Sequence, residues 1–548
     1  MLLTGRAWNS ALTTMPGLSG DPETFLWYLT WWPQAITSGQ NPWWTDRVSA
    51  PGGINLMWNA SMPLVALLLA PVTVFVGGTL TYTLAIVFGF VTTAVCTLLL
   101  GRRIFVRSGV QVVFALSVAF CPFMVGHGLG HPNLIWAGYL PLTLRIMVDL
   151  GMGRTSVRRS GALLGISTAA QILIGEEIIA LTAICVTFLT AWLIFTQAHV
   201  ATWRRLAGGV LWSQLWFWPL ALWPLAVQFI GPYRLSEPLH DTSLYVLDLL
   251  SLLAPSRISL LTLARPTTMD WSGGNLLEST GYLGLALPVA VYAGVRGREL
   301  QYVRAATWCA AGALLTAVGD HVVIAGWQSP LPGLGQLLGW IPLVKQVLPV
   351  RLTLVLDLAV LVLVLSLLDN YTASRSGSIG IVRTWVGLAL VCMAPWPVYP
   401  ESVRPPVPAF FSDGVAARIF GDSRVLALPL ARMPESSTAA MVWHASSGQR
   451  WQMMDGYVVN NLFAQRVRRG RTDVGPCQVC YWLNNPRSTI GALTGAEVTD
   501  QLRQLHVAWV VIGPSEDGTV PAQVVRRVSA ALGAPTVTGG VLLWHLRH

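Results

Sequence analysis

Long apolar runs joined by short loops dominate this chain, and the arginines of those loops fall on every second one. A helix that crosses the hydrocarbon core needs about 20 mostly apolar residues. The runs predicted to do so are residues 80–100, 109–126, 133–151, 161–176, 178–196, 208–230, 277–294, 304–322, 352–369 and 382–398. One set of loops carries Arg102, Arg103 and Arg107; Arg154, Arg158 and Arg159; Arg204 and Arg205; Arg296, Arg298 and Arg304; and Arg375 and Arg383. The alternate set is nearly bare: GHGLGHPN from 126, GEE at 175–177, and the long segments 231–276 and 327–351. Basic residues stay on the cytoplasmic side of a membrane. The expectation is therefore a multi-pass protein of the cell membrane with about ten spans. Residues 399–548 and the bare loops are expected outside.

Composition agrees. Of 548 residues 53% are hydrophobic and 11% charged, against about 25% charged in a soluble domain. The net charge of +10 would elsewhere suggest nucleic acid, but the alternation of arginines accounts for it, and no nucleic-acid partner is expected. Lys345 is the only lysine. Residues 1–19 are too polar and too short for a span. No Walker motif, GxGxxG after a strand, HExxH or GxSxG occurs.

Residues 63–78 (PLVALLLAPVTVFVGG) break the alternation, since a span there would turn every later arginine outward. They are expected to lie along the outer interface. After the proline-rich stretch 399–408 the periodicity changes. Residues 423–431 and 506–513 suggest short strands, and 496–505 and 521–532 amphipathic helices. The expected organisation is a first outer loop with an acidic motif and interfacial helices (1–62), an all-α transmembrane domain (63–398) and a small extracytoplasmic α/β domain (399–548). Cys477 and Cys480 form a CxxC there. It cannot complete a zinc site alone, so the pair forms a disulfide, favoured outside the cytoplasm, or stays as two thiols.

Ionisable groups at membrane depth are costly and mark function. Asp21 and Glu23 stand just before an aromatic-rich stretch and could supply a general base with an orienting partner; an acidic residue followed by Pro22 is equally a helix start. Glu176 and Glu177 sit at a tight outer turn, lining a substrate cavity or simply solvated. His127 and His131, four residues apart, could share a metal on a helix, but the glycines between them favour a turn, and no third ligand is evident. No metal site is assigned, although a divalent cation could join the carboxylates. Arg234, Lys345 and Arg351 flank spans at the outer side and could hold a lipid phosphate or snorkel to headgroups.

The order of motifs resembles the GT-C superfamily of membrane glycosyltransferases, of the actinobacterial type. The likeness rests on Asp21-Pro22-Glu23 in the first outer loop, NPWWTDRVSAPGGINLMWNASMPLVALLLAPVTVFVGG after it, LLLGRRIF, SVAFCPFMVGHGLGH, and the late LPVRLTLVLDLAVLVL. The family ordinarily has one more span before the acidic loop, which would make eleven. The resemblance implies a polyprenyl-phosphate sugar as donor, a cell-envelope glycan, glycolipid or protein as acceptor, and the bilayer as solvent. Asp21 would deprotonate the acceptor, with Glu23 beside it, and Arg351 or Lys345 would stabilise the leaving phosphate with inversion at the sugar. His127, His131, Glu176, Glu177 and Arg234 would line the substrate site. The alternatives are a transporter or flippase of a lipid-linked envelope precursor, and a non-catalytic assembly scaffold.

Overall fold

The computed structural model describes residues 4–8, 10–235, 245–256, 276–336, 347–370, 378–394, 402–431, 437–461, 477–485 and 493–546. Lys345 lies outside them. Among the described residues five helices are long and apolar enough to cross a membrane: Gly78–Ile104, Pro132–Gly151, Glu177–Phe195, Val200–Ile230 and Pro349–Asn370. Ser108–Ala119, Ala286–Arg296 and Gly380–Met393 are shorter apolar helices. Val157–Ile172 and Gln301–Ala317 complete the bundle. The protein is a mostly helical membrane protein.

Packing follows the side chains. The helix from Thr353 is apolar all round, and nearly all of it is buried at the centre of the bundle. Val200–Ile230 instead presents Trp216, Trp218 and Trp223 outward, as a lipid-facing helix does. It packs on Val157–Ile172 through small residues: a Cβ at Gly165 would lie 2.3 Å from the Ser213 carbonyl oxygen. Such close approach of backbones is how helices associate without a hydrophobic drive.

Of the expected spans, 109–126 breaks after Ala119, 133–151 breaks after Ile135 and 161–176 is helical only to Ile172; two more depart further. In 277–294 the helix begins only at Ala286; Leu276–Glu278 is a short 3-10 turn, and Gly284 has φ +53. In 304–322 the helix ends at Ala317. Gly319 turns the chain at φ +80, and His321–Ile324 pairs antiparallel with Trp327–Pro332. The hairpin turn, Ala325-Gly326, has positive φ at both residues, the arrangement that matches strand twist. Asp248 accepts from both turn amides at 2.9 and 2.7 Å. Residues 63–78 form two short helices, Pro63–Leu68 and Ala70–Phe75, with Leu67, Leu68, Val74 and Phe75 exposed.

The C-terminal part contains a five-stranded sheet. Its order is Thr536–Thr538, Val541–His545, Val507–Ile512, Arg424–Leu428, Gln452–Met453. Arg424–Leu428 pairs parallel with both neighbours, and the first two strands form a hairpin. Leu426, Leu428, Val507, Val510, Ile512 and Trp544 make its core with the amphipathic helices Gly495–Gln504 and Ala522–Leu532. Cys477 and Cys480 are joined as a disulfide.

This sheet unit is bound to the chain's beginning. Met15–Pro16 pairs antiparallel with Ser402–Val403. The Trp27 indole donates to His444 Nδ1 at 2.8 Å, and His444 Nε2 donates to the Trp451 carbonyl at 2.9 Å. Burial holds the His444 imidazole down to about pKa 3, so it stays neutral and can accept from the indole.

Candidate active site

The first acidic motif opens the helix Asp21–Thr37. Glu23 is wholly buried, and both its oxygens are engaged: Ser19 Oγ donates to one at 2.8 Å and the Gly20 amide to the other at 2.8 Å. The bond from the Gly20 amide is the N3-to-N-cap half of a capping box. Burial raises its pKa to about 7 against those hydrogen bonds. Of the two carboxylates, Asp21 is the one presented outward, with a quarter of its side chain exposed.

The GHGLGH turn comes up beside it. The Leu18 amide donates to the Leu129 carbonyl at 2.8 Å. At Gly17, φ +126, a Cβ would lie 2.3 Å from that same carbonyl oxygen, so only glycine permits the approach. His131 Nε2 then lies 3.3 Å from Asp21 Oδ2, and His131 Nδ1 is 3.0 Å from His127 Nδ1. His127 is buried, and that burial holds its pKa well below the ordinary imidazole value against the pull of Glu278.

Glu278 closes the ring of contacts. One of its oxygens is 3.8 Å from His127 Nε2 and the other 4.0 Å from His131 Nδ1. Arg351, on the 3-10 turn Pro349–Leu352, donates from Nε to both Glu278 oxygens at 3.1 and 3.2 Å, and from its two terminal nitrogens to Glu177 and Glu278. Burial alone would raise the Glu278 pKa; Arg351 and the histidines outweigh it and bring it to about 2. Asp21, His127, His131, Glu177, Glu278 and Arg351 thus form one continuous polar cluster, drawn from distant parts of the chain.

Tyr457 faces the cluster from the C-terminal part. The Asp21 charge, with burial, pushes its phenol pKa upward. The segment carrying it is tied down on both sides. Thr24 Oγ1 donates to the Tyr457 carbonyl at 3.0 Å, the Val459 amide donates to Asn59 Oδ1 at 2.7 Å, and Asn460 donates to Ser49 at 2.6 Å.

Other candidates lie apart. Glu176 turns away and accepts from Gln228 at 2.8 Å. Arg234 is exposed, and its carbonyl accepts from Asn461 at 3.2 Å. Arg351 is not an open cation awaiting a phosphate, because two carboxylates already hold it. The sequence offered the histidines no third metal ligand; Glu278 supplies one. His127, His131 and Glu278 place one ligand atom each within 4.8 Å of one another. His127 Nε2 is buried with no hydrogen bond. Those three fit a divalent cation, which would compete with Arg351 for Glu278. Glu278 and Tyr457 were missed. An acid at the second position of an expected span was a signal for Glu278; nothing local marked Tyr457.

Residues 20–341, more than half of the chain, match the family described as Domain of unknown function (DUF6311). The chain belongs to that family. No curated protein matches the sequence of this DUF6311 chain. Among solved structures it is similar to arabinofuranosyltransferase AftD from Mycobacteria, with a TM-score of 0.58 and 16% identity over 100% of this chain. The DUF6311 chain spans only 39% of that protein's length. The oligosaccharyltransferase of Archaeoglobus fulgidus tethered with an acceptor peptide gives a TM-score of 0.49 and 12% identity, covering 96% of this chain and 68% of that one. ArnT from Cupriavidus metallidurans gives 0.46 and 13%, covering 98% and 96%. The DUF6311 chain shares the fold of that arabinofuranosyltransferase.

Proposed function

We propose that this protein is a membrane glycosyltransferase that moves a sugar from a polyprenyl-phosphate donor to a cell-envelope glycan, glycolipid or protein acceptor. The observation that carries the reading is the position of Asp21: a partly exposed carboxylate beside His131, in one cluster with Arg351. Asp21 takes the proton of the acceptor hydroxyl. The oxygen attacks the anomeric carbon from the face opposite the phosphate. The bond from that carbon to the phosphate oxygen breaks, and the phosphate leaves with the electron pair, so configuration inverts. A phosphate is a good leaving group and needs no acid.

Glu23 acts here by fixing the helix that carries Asp21, not by touching substrate. Arg351, clamped by Glu177 and Glu278, keeps the positive charge of the site at a set place, and its field stabilises the charge of the leaving phosphate. The arginine-rich loops lie in the cytoplasm in this reading. The site and residues 399–548 lie outside, with 1–62 as the acidic loop and 63–398 as the membrane domain.

The test is turnover by the purified full chain against a panel of polyprenyl-phosphate sugars, with Asp21→Ala alongside. The expected result is transfer from at least one donor, lost in Asp21→Ala while lipid binding persists. Lipid movement across vesicles without transfer would favour a flippase. Unchanged turnover in Asp21→Ala would overturn the role of Asp21.

A further inference from the structure

A cavity of about 580 Å³ opens at the arginine-rich ends of the helices, away from the polar cluster. Its volume falls within the roughly 300–1,000 Å³ of small-molecule sites. Gly78–Ile104, Tyr139–Gly151, Glu177–Phe195, Gln301–Ala317 and Thr353–Asn370 all contribute to its walls. Most lining side chains are apolar, such as Leu144, Leu189 and Val355.

The polar groups are few and gather toward one end. Arg103 is already paired with Asp149 at 2.7 Å. Arg304 also lines the cavity, and among the described residues its guanidinium has no ion pair or hydrogen bond. The Trp192 indole nitrogen is buried there without an acceptor. Leaving a buried donor unmade is costly, so a missing acceptor is the economical explanation. The occupant must bring oxygen acceptors and negative charge at the arginine-rich end, and an apolar chain in the interior.

We propose that this cavity binds one anionic glycerophospholipid of the leaflet on the arginine-rich side. Its phosphate pairs with Arg304, an ester oxygen accepts from Trp192, and one acyl chain runs toward Val355. Arg304 is exposed at the mouth, and a zwitterionic headgroup brings its own cation beside the phosphate, so a net-anionic headgroup pairs better there. A polyprenyl-phosphate donor would, in the function proposed above, place its phosphate at the opposite ends of the helices, and the last arm of the experiment separates it from this occupant. This lipid is a bound structural partner, and its presence does not depend on the catalytic reading.

The experiment is native mass spectrometry of the full chain released from nanodiscs of equal phosphatidylglycerol and phosphatidylcholine. The wild type should retain one phosphatidylglycerol per chain, favoured at least tenfold over phosphatidylcholine. Arg304→Gln should lose that preference. Ala306→Trp, which fills the cavity, should lose the retained lipid altogether, whereas Leu220→Trp on the exposed outer face should keep it. Equal retention in Ala306→Trp and Leu220→Trp would overturn the site. So would an unchanged preference in Arg304→Gln, which decides alone if Ala306→Trp does not fold. Adding polyprenyl phosphate to the nanodiscs gives the last arm: displacement of phosphatidylglycerol from the wild type would overturn the assignment of the occupant.

Discussion

His131 Nε2 lies 3.3 Å from Asp21 Oδ2, so the GHGLGH turn holds the carboxylate of the first acidic motif. An oriented base is worth more than a mobile one. His131→Ala should lower kcat about 10- to 100-fold with little change in donor KM, and His131→Gln, which keeps a donor in reach, should recover part of it. Steady-state kinetics of the three proteins checks this. A His131→Ala enzyme as fast as wild type would remove the histidine from the mechanism.

Tyr457 lets the C-terminal part act on the same base. The hydroxyl is the polar atom that the C-terminal part sets toward Asp21, and Tyr457→Phe should reduce kcat by roughly tenfold. Thermal stability should barely move, since Thr24 and Asn59 hold the neighbouring backbone. Steady-state kinetics showing Tyr457→Phe as fast as wild type would remove the phenol from the mechanism.

Glu278 answers for the charge balance of the cluster. Glu278→Ala leaves Arg351 with Glu177 alone in a buried setting, and breaking such a pair costs about 3–5 kcal/mol. A markedly lower Tm is the expected result. The folded pKa of Glu278, about 2, lies below the ordinary 4.5. Its contribution is therefore fully present above pH about 4.5 and is lost as pH falls toward 2. Melting curves of wild type and Glu278→Gln should converge over that interval.

Glu23 carries the opposite sign. Its folded pKa is raised from 4.5 to about 7. Its contribution is thus complete below pH 4.5 and is lost as pH rises through 7. Glu23→Gln should be more stable relative to wild type at pH 8 than at pH 5. Glu23→Ala, which also removes the hydrogen bonds from Ser19 and Gly20, should follow the same change with pH, offset by about 1 kcal/mol toward lower stability. Identical pH dependence of Tm in wild type and Glu23→Gln would refute the buried-carboxyl account.

Cys477 and Cys480 should be found bonded. Peptide mass mapping of protein prepared without reductant should return one linked peptide, and two alkylated thiols would contradict it.

The membrane character, most helix positions and the strands at 424–428 and 507–512 were legible in the sequence. Each follows from side chains that are neighbours along the chain: an apolar run needs lipid or core around it, and alternating apolar residues need a sheet. The spans expected at 277–294 and 304–322 depart from the structure for one cause. Gly284 and Gly319 allow a turn in an apolar run, and only packing decides whether that freedom is used. Individual site residues could be suspected, because a charge beside an apolar run is costly wherever it points. Which of them meet could not be read. Asp21 faces His131 because Gly17 lets two loops touch. Glu23 was a candidate base until Ser19 and Gly20 were seen to occupy it. Arg351 became a clamped cation only through Glu177 and Glu278, which reach it from two other segments. Burial and helix formation are short-range properties of a sequence; the pairing of charges is a long-range one, decided by how the helices pack.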